Sequence, residues 1–189
     1  MSHPDSEFMY VYIPKNASSW TKPNLKDFGW EFYNYHTDFL PKHALVVLRD
    51  PVERWLSGIA EYFTLYHPTF PPCDWTHSTL DLVFDRVCFD DHTEHQISFL
   101  HGLDTDNCTF FLADKDYRCN FSRWVTENYN ENKYDKYDYQ HVSEDSRERR
   151  QFKAIFRNTI LNSKYLDKIK NYYAEDYALI NSVKLYGST

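Results

Sequence analysis

The segment Ala44-Leu-Val-Val-Leu48 is apolar throughout, partly β-branched and too short for a helix, so it reads as a buried strand. It runs directly into Arg49-Asp50-Pro51-Val52-Glu53, a strong helix start. Asp50 can cap, Pro51 fits the first helical position, and Glu53 stands where a capping-box carboxylate would. Val52, Leu56, Ile59 and Phe63 then recur at helical spacing and predict the core face of that helix.

The same alternation continues along the chain. Phe8-Met-Tyr-Val-Tyr-Ile13 reads as a buried strand stopped by Pro14, followed by a polar turn over Lys15–Ser19 and a weakly helical stretch from Trp20 that Pro23 breaks. Gly29–Tyr35 and Thr109–Ala113 predict further strands. Helices are predicted over Leu80–Cys88, His92–Leu100 and Asn120–Asn128, and throughout Asp145–Val183. In that last stretch Phe152, Phe156 and Ile160 share one stripe, and Leu166, Ile169 and Tyr173 another. The proline-rich Tyr66–Ser78 reads as a loop and the polar Asn130–Tyr139 as exposed. With no repeat and no linker, this alternation implies a single α/β domain spanning residues 1–189, a small, mainly parallel sheet flanked by helices.

Charge narrows the function. The chain has 28 acidic and 21 basic side chains, a formal charge of −7, where a general nucleic-acid binder shows a net basic stripe. A local anion site remains open, since a pocket is governed by its own few charges. No apolar run approaches the roughly 18 residues of a membrane span, and no basic-then-apolar signal pattern opens the chain. These features predict a cytoplasmic protein without membrane contact; the alternative is the lumenal part of a longer secretory-pathway protein. In that case the sequons at Asn16, Asn107 and Asn120 would be glycan acceptors. Cys73, Cys88, Cys108 and Cys119 are compatible with free thiols or with pairing. The 16 Tyr, 14 Phe and 5 Trp are read as a core with Tyr hydroxyls at its rim, or as a glycan-contacting surface.

Two strand-to-helix junctions carry the chemistry. Each aims backbone N–H groups and the positive end of a helix at one point, which suits a bound phosphate. The first adds Lys15 as a point charge with Ser18 and Ser19 as hydroxyl donors; the second adds Arg49, whose fork binds phosphate bidentately, and Ser57 in the helix. In a parallel sheet both lie at the carboxyl edge, where they could clamp a ligand with two separated anionic groups. No glycine precedes residue 29, so the first junction is not a G-x-x-x-x-G-K-[ST] loop.

Ile13-Pro-Lys-Asn-Ala-Ser-Ser-Trp20 resembles the 5′-phosphosulfate loop of the sulfotransferases, and Leu48-Arg-Asp-Pro-Val-Glu-Arg-Trp-Leu-Ser57 resembles their 3′-phosphate segment. The style is closer to the carbohydrate-type enzymes than to the small-molecule ones. His92-Thr-Glu-His-Gln96, Phe110-Phe-Leu-Ala-Asp114 and Tyr173-Ala-Glu-Asp-Tyr177 look like weaker features of the same family. The resemblance implies a P-loop-related sulfotransferase fold. It also implies sulfuryl transfer from 3′-phosphoadenosine-5′-phosphosulfate, without a metal, to an acceptor hydroxyl, with a carbohydrate as the expected acceptor.

Carried over by position, Lys15 would neutralise the phosphosulfate and the departing phosphate oxygen. Asn16, Ala17, Ser18 and Ser19 would hold the 5′ end, and Arg49 with Ser57 the 3′-phosphate. Many relatives have Gly where Ala17 stands, and Ala does not easily take a positive φ. Trp20 matches an adenine-contacting position, or belongs to the core. His36 occupies the place of the general base, with Glu31 and His43 as rivals. Cys88, His92 and His95 match no usual zinc spacing. Arg147, Arg149 and Arg150 read as a solvated helix face. Two other classes stay open: a kinase-like phosphotransferase, which would need Mg²⁺ and ATP, and a nucleotide-binding relative without turnover.

Overall fold

The computed structural model describes residues 1, 8–31, 42–67, 77–129, 147–160 and 164–187. It is an α/β structure in which the elements follow the order β1 (Phe8–Val11), α1 (Ser18–Asp27), β2 (His43–Leu48), α2 (Pro51–Tyr66), α3 (His77–Arg86), β3 (Cys108–Leu112), α4 (Tyr117–Tyr129), α5 (Arg147–Ile160), α6 (Lys164–Tyr172) and α7 (Ala174–Ser182). Among the described residues no helix is long and apolar enough to cross a membrane. The chain forms two interleaved compact units: residues 1–49, 99–143 and 182–189 make the first, and 50–98 and 144–181 the second.

The first unit holds a three-stranded sheet in the order β1-β2-β3, with every pair parallel. Phe8 lies opposite His43 and Val11 opposite Val46; Ala44 lies opposite Cys108 and Leu48 opposite Leu112. An isolated parallel bridge joins Phe110 to Leu185 beyond β3, and Met1 exchanges two backbone bonds with Tyr10 beside β1. Tyr10, Leu45, Val47 and Phe111 pack with Trp20 and Leu25 of α1 and with Tyr117, Phe121, Trp124 and Val125 of α4. All the sheet members of this cluster are odd or even in step with the pleat, which sends alternate residues to one face.

Helix α1 does not break at Pro23 as the sequence predicts; it continues to Asp27. Proline removes one helical donor and crowds the carbonyl four residues back, at a cost of about 3 kcal/mol. Burial of Trp20 and Leu25 on either side of it offsets that cost, and the Asn24 side-chain amide donates to the Trp20 carbonyl at 2.6 Å. Of the predicted strand over Gly29–Tyr35, Gly29 turns the chain at φ 82 and Glu31 forms an isolated bridge; residues 32–35 lie outside the described residues.

In the second unit the sequence-predicted start of α2 is confirmed: the Asp50 carboxylate accepts the Glu53 N–H at 2.9 Å and Pro51 opens the helix. The Glu53 carboxylate goes to Arg157 of α5 at 2.6 Å, a tertiary contact in place of the reciprocal half of a capping box. Val52, Leu56, Ile59 and Phe63 are all buried, joined by Trp55, Phe84, Phe152, Phe156, Ile160, Ile169 and Tyr173. The helical pattern predicted over Asp145–Val183 corresponds to α5, α6 and α7, with Tyr173 as the turn between the last two.

The helix predicted over His92–Leu100 is absent except for a 3₁₀ turn at Ile97–Leu100. Side chains there take up the backbone groups that a helix would use. The Thr93 hydroxyl accepts from the Phe89 and Asp90 N–H groups, and buried Asp176 accepts from the Gln96 and Ile97 N–H groups. Arg54, 1% exposed, donates to the carbonyls of Glu94 and Asp91. Gly58 lets this loop lie against α2, since a Cβ there would fall 2.3 Å from the His92 carbonyl oxygen.

Candidate functional site

The carboxyl edge of the sheet in the first unit gathers three strand exits. After β1 the chain passes Ile13 and Pro14, both buried, into Lys15-Asn16-Ala17 and then α1. Lys15 has φ 67 and Ala17 φ 56, two left-handed residues flanking Asn16. Such conformations are uncommon outside glycine. Here they turn the chain tightly between β1 and α1, and the Asn16 N–H donates to the Ile13 carbonyl at 3.4 Å. Ala17 is also the N-cap of α1 and offers no side-chain oxygen, so the helix's leading amides are not claimed by a cap at that position. Ser18, half-buried, and Ser19, exposed, follow in the first turn.

The second exit lies against the first. Arg49, half-buried, donates from Nη1 to the Lys15 carbonyl at 2.9 Å. In the other direction the Asn16 side chain, fully buried, donates from Nδ2 to the Val47 carbonyl at 2.7 Å. The two basic residues singled out from the sequence therefore stand on neighbouring parallel strand ends, with the loop of one bonded to the side chain of the other. The third exit, which the sequence did not mark as part of a site, is tied in by the Ala113 N–H donating to the Leu48 carbonyl at 2.7 Å. Its turn residues Asp114, Lys115 and Asp116 are exposed and lead into α4.

Ala17 carries a direct prediction. A Cβ in the left-handed region costs about 1–2 kcal/mol, against which glycine loses about 0.5–1 kcal/mol in unfolded-chain entropy. Ala17→Gly is thus expected to raise stability by about 0.5–1 kcal/mol, read as a higher urea midpoint. A lower midpoint would mean that the Cβ's packing on the neighbouring apolar cluster outweighs the strain.

The remaining candidates are placed as follows. Trp20 is 5% exposed, with its ring edge-on to Tyr117 at 5.5 Å and Phe121 at 5.8 Å, so the core role accounts for it and leaves little face for an adenine. Ser57 is half-buried on α2, in the second unit. His36 lies outside the described residues. Of its rivals, Glu31 is exposed, and His43 opens β2 at the amino edge of the sheet, about 20 Å of extended chain from Arg49. That separation removes His43 from contention as a base at the carboxyl edge.

In the second unit, His92 Nδ1 is held by Asp90 at 2.9 Å and Asp91 at 3.1 Å, and His95 stacks on Tyr172 at 4.3 Å. Cys88 is directed to Glu94 at 3.7 Å, and burial pushes its thiol pKa up, away from a nucleophilic thiolate. Asp90, Asp91 and His92 bring their ligand atoms within 4.8 Å of one another, while Cys88 and His95 are engaged elsewhere and do not join them. Arg149 pairs with Glu61 at 2.8 Å, while Arg147 and Arg150 are exposed, as a solvated helix face requires.

No family model matches the sequence, and neither a curated protein nor a solved structure matches it.

Proposed function

We propose that the protein is a sulfotransferase that moves the sulfuryl group of 3′-phosphoadenosine-5′-phosphosulfate to an acceptor hydroxyl on a carbohydrate, on a P-loop-related sulfotransferase scaffold. One observation carries this reading: Lys15, in a loop with two left-handed residues, and Arg49, in the R-D-P segment, meet at adjacent ends of a parallel sheet. The order, spacing and chemistry of these two segments are those the sulfotransferase resemblance calls for.

The chemistry follows from the charges. The acceptor oxygen attacks sulfur in line while the bond from sulfur to the bridging oxygen breaks. Negative charge builds on that oxygen, now part of the departing 5′-phosphate of adenosine 3′,5′-bisphosphate. A cation fixed beside it stabilises the transition state more than the ground state, which is the role assigned to Lys15. The loop amides with Ser18 and Ser19 hold the 5′ end, and Arg49 takes the 3′-phosphate. His36 is assigned the acceptor proton, since its unperturbed pKa near neutrality suits a base at physiological pH.

Calorimetric titration with adenosine 3′,5′-bisphosphate tests the assignment. Wild type is expected to bind at micromolar concentration with EDTA present, and Arg49→Ala to bind about 10- to 100-fold more weakly, the worth of hydrogen bonds to a charged group. A wild-type protein that binds none of this nucleotide would sink the proposal.

A further inference from the structure

We propose that Asn16 and Arg49 form a reciprocal clasp that sets the shape of the anion loop, which makes Asn16 a positioning residue and gives Arg49 a second role at the 5′ end of the nucleotide. The inference rests on the function proposed above and assigns to that site two contacts that the resemblance does not supply.

Two left-handed residues within three positions strain the loop, and such a conformation persists only where its surroundings over-determine it. The clasp provides that determination. The Asn16 side chain reaches from the loop to the backbone of β2 at Val47, and the Arg49 side chain reaches from the end of β2 back to the backbone of the loop at Lys15. The second bond fixes the peptide plane between Lys15 and Asn16, and hence the direction from which the Lys15 side chain leaves the loop. Full burial keeps the Asn16 side chain out of ligand contact, so its effect on binding passes through loop geometry. Arg49 has five N–H donors in a planar fork, and one of them reaches the Lys15 carbonyl. A 3′-phosphate bound there would also steady the loop that holds the 5′ end.

The test compares two ligands, adenosine 3′,5′-bisphosphate and adenosine 5′-phosphosulfate, which lacks the 3′-phosphate. Binding is measured well below each variant's melting temperature. Asn16→Ala is expected to weaken both ligands by a similar factor, about three- to tenfold, the worth of one hydrogen bond. Arg49→Gln should weaken the phosphosulfate too, partly by loss of charge. The double variant separates the two causes: charge loss adds to the Asn16 effect, whereas a shared clasp makes the combined loss clearly smaller than the product of the single losses. If Asn16→Ala does not fold, Asn16→Ser serves in its place.

A folded Asn16 variant that binds both ligands as wild type does would overturn the clasp, as would additive losses in the double variant. Either result leaves the proposed function standing. A wild type that binds neither ligand would remove the proposed function, and the clasp with it.

Discussion

Arg54→Ala is expected to cost about 3–5 kcal/mol of stability, the range for removing one partner from a buried ionic cluster. The guanidinium is 1% exposed and donates to the carbonyls of Glu94 and Asp91. Burial pulls its pKa down, while the nearby Tyr173, Asp176, Glu94 and Asp91 act to raise it. Removing it leaves two carbonyls without their donor and the Asp176 carboxylate, itself fully buried, without a compensating charge. Arg54→Met keeps much of the side-chain volume and separates the lost charge from the lost packing. Guanidinium or urea unfolding measures both variants, and a loss under about 1 kcal/mol for Arg54→Ala would show that the loop over residues 88–97 does not depend on this residue.

The largest functional effect is expected at Lys15. If it stabilises charge that develops only as the sulfur–oxygen bond breaks, Lys15→Ala should lower turnover by about 10²–10³ while weakening adenosine 3′,5′-bisphosphate by far less. Release of the bisphosphate from 3′-phosphoadenosine-5′-phosphosulfate, with a mixture of oligosaccharides as acceptors, follows the reaction. Unchanged turnover at saturating nucleotide, with only the apparent affinity reduced, would place Lys15 in ground-state binding and refute the leaving-group role.

The parts of this fold that could be read in advance are those where local rules and burial agree. At Ala44–Glu53 apolar continuity, capping chemistry and helical spacing all favour one answer, and β2 and α2 appear where they indicate. Pro23 shows the opposite case: a local breaker is overridden because Trp20 and Leu25 are anchored on both sides of it. The His92–Leu100 stretch has helical composition, yet its backbone groups are taken by Thr93, Asp176 and Arg54, two of them remote in sequence.

The candidate site divides in the same way. Lys15, Ser18, Ser19 and Arg49 are legible because charge and hydroxyl groups at strand-to-helix junctions have a direct reason to be there. The left-handed turn at Ala17 is not legible, since alanine gives no sign of it and only the relatives' glycine hinted at the requirement. Asn16 is misleading: its sequon suggests an exposed acceptor, and the side chain is fully buried against β2. Arg54 is equally hidden from view, because an arginine in an amphipathic helix ordinarily faces water.

The interleaving of the two units has a consequence for the order in which the chain can fold. β1 and β2 pair across more than thirty intervening residues, and β2 cannot gain its second neighbour until Cys108–Leu112 has been made. All of α2 and α3 emerges between those two events, yet the helices that complete their core, α5 and α6, come later still. During synthesis β2 therefore waits with one edge unpaired, the kind of strand that joins another chain when held open. Such long-range parallel closure is slow compared with helix formation. Slower synthesis or lower temperature, which gives that edge time to close, is thus expected to raise the yield of folded protein over aggregate.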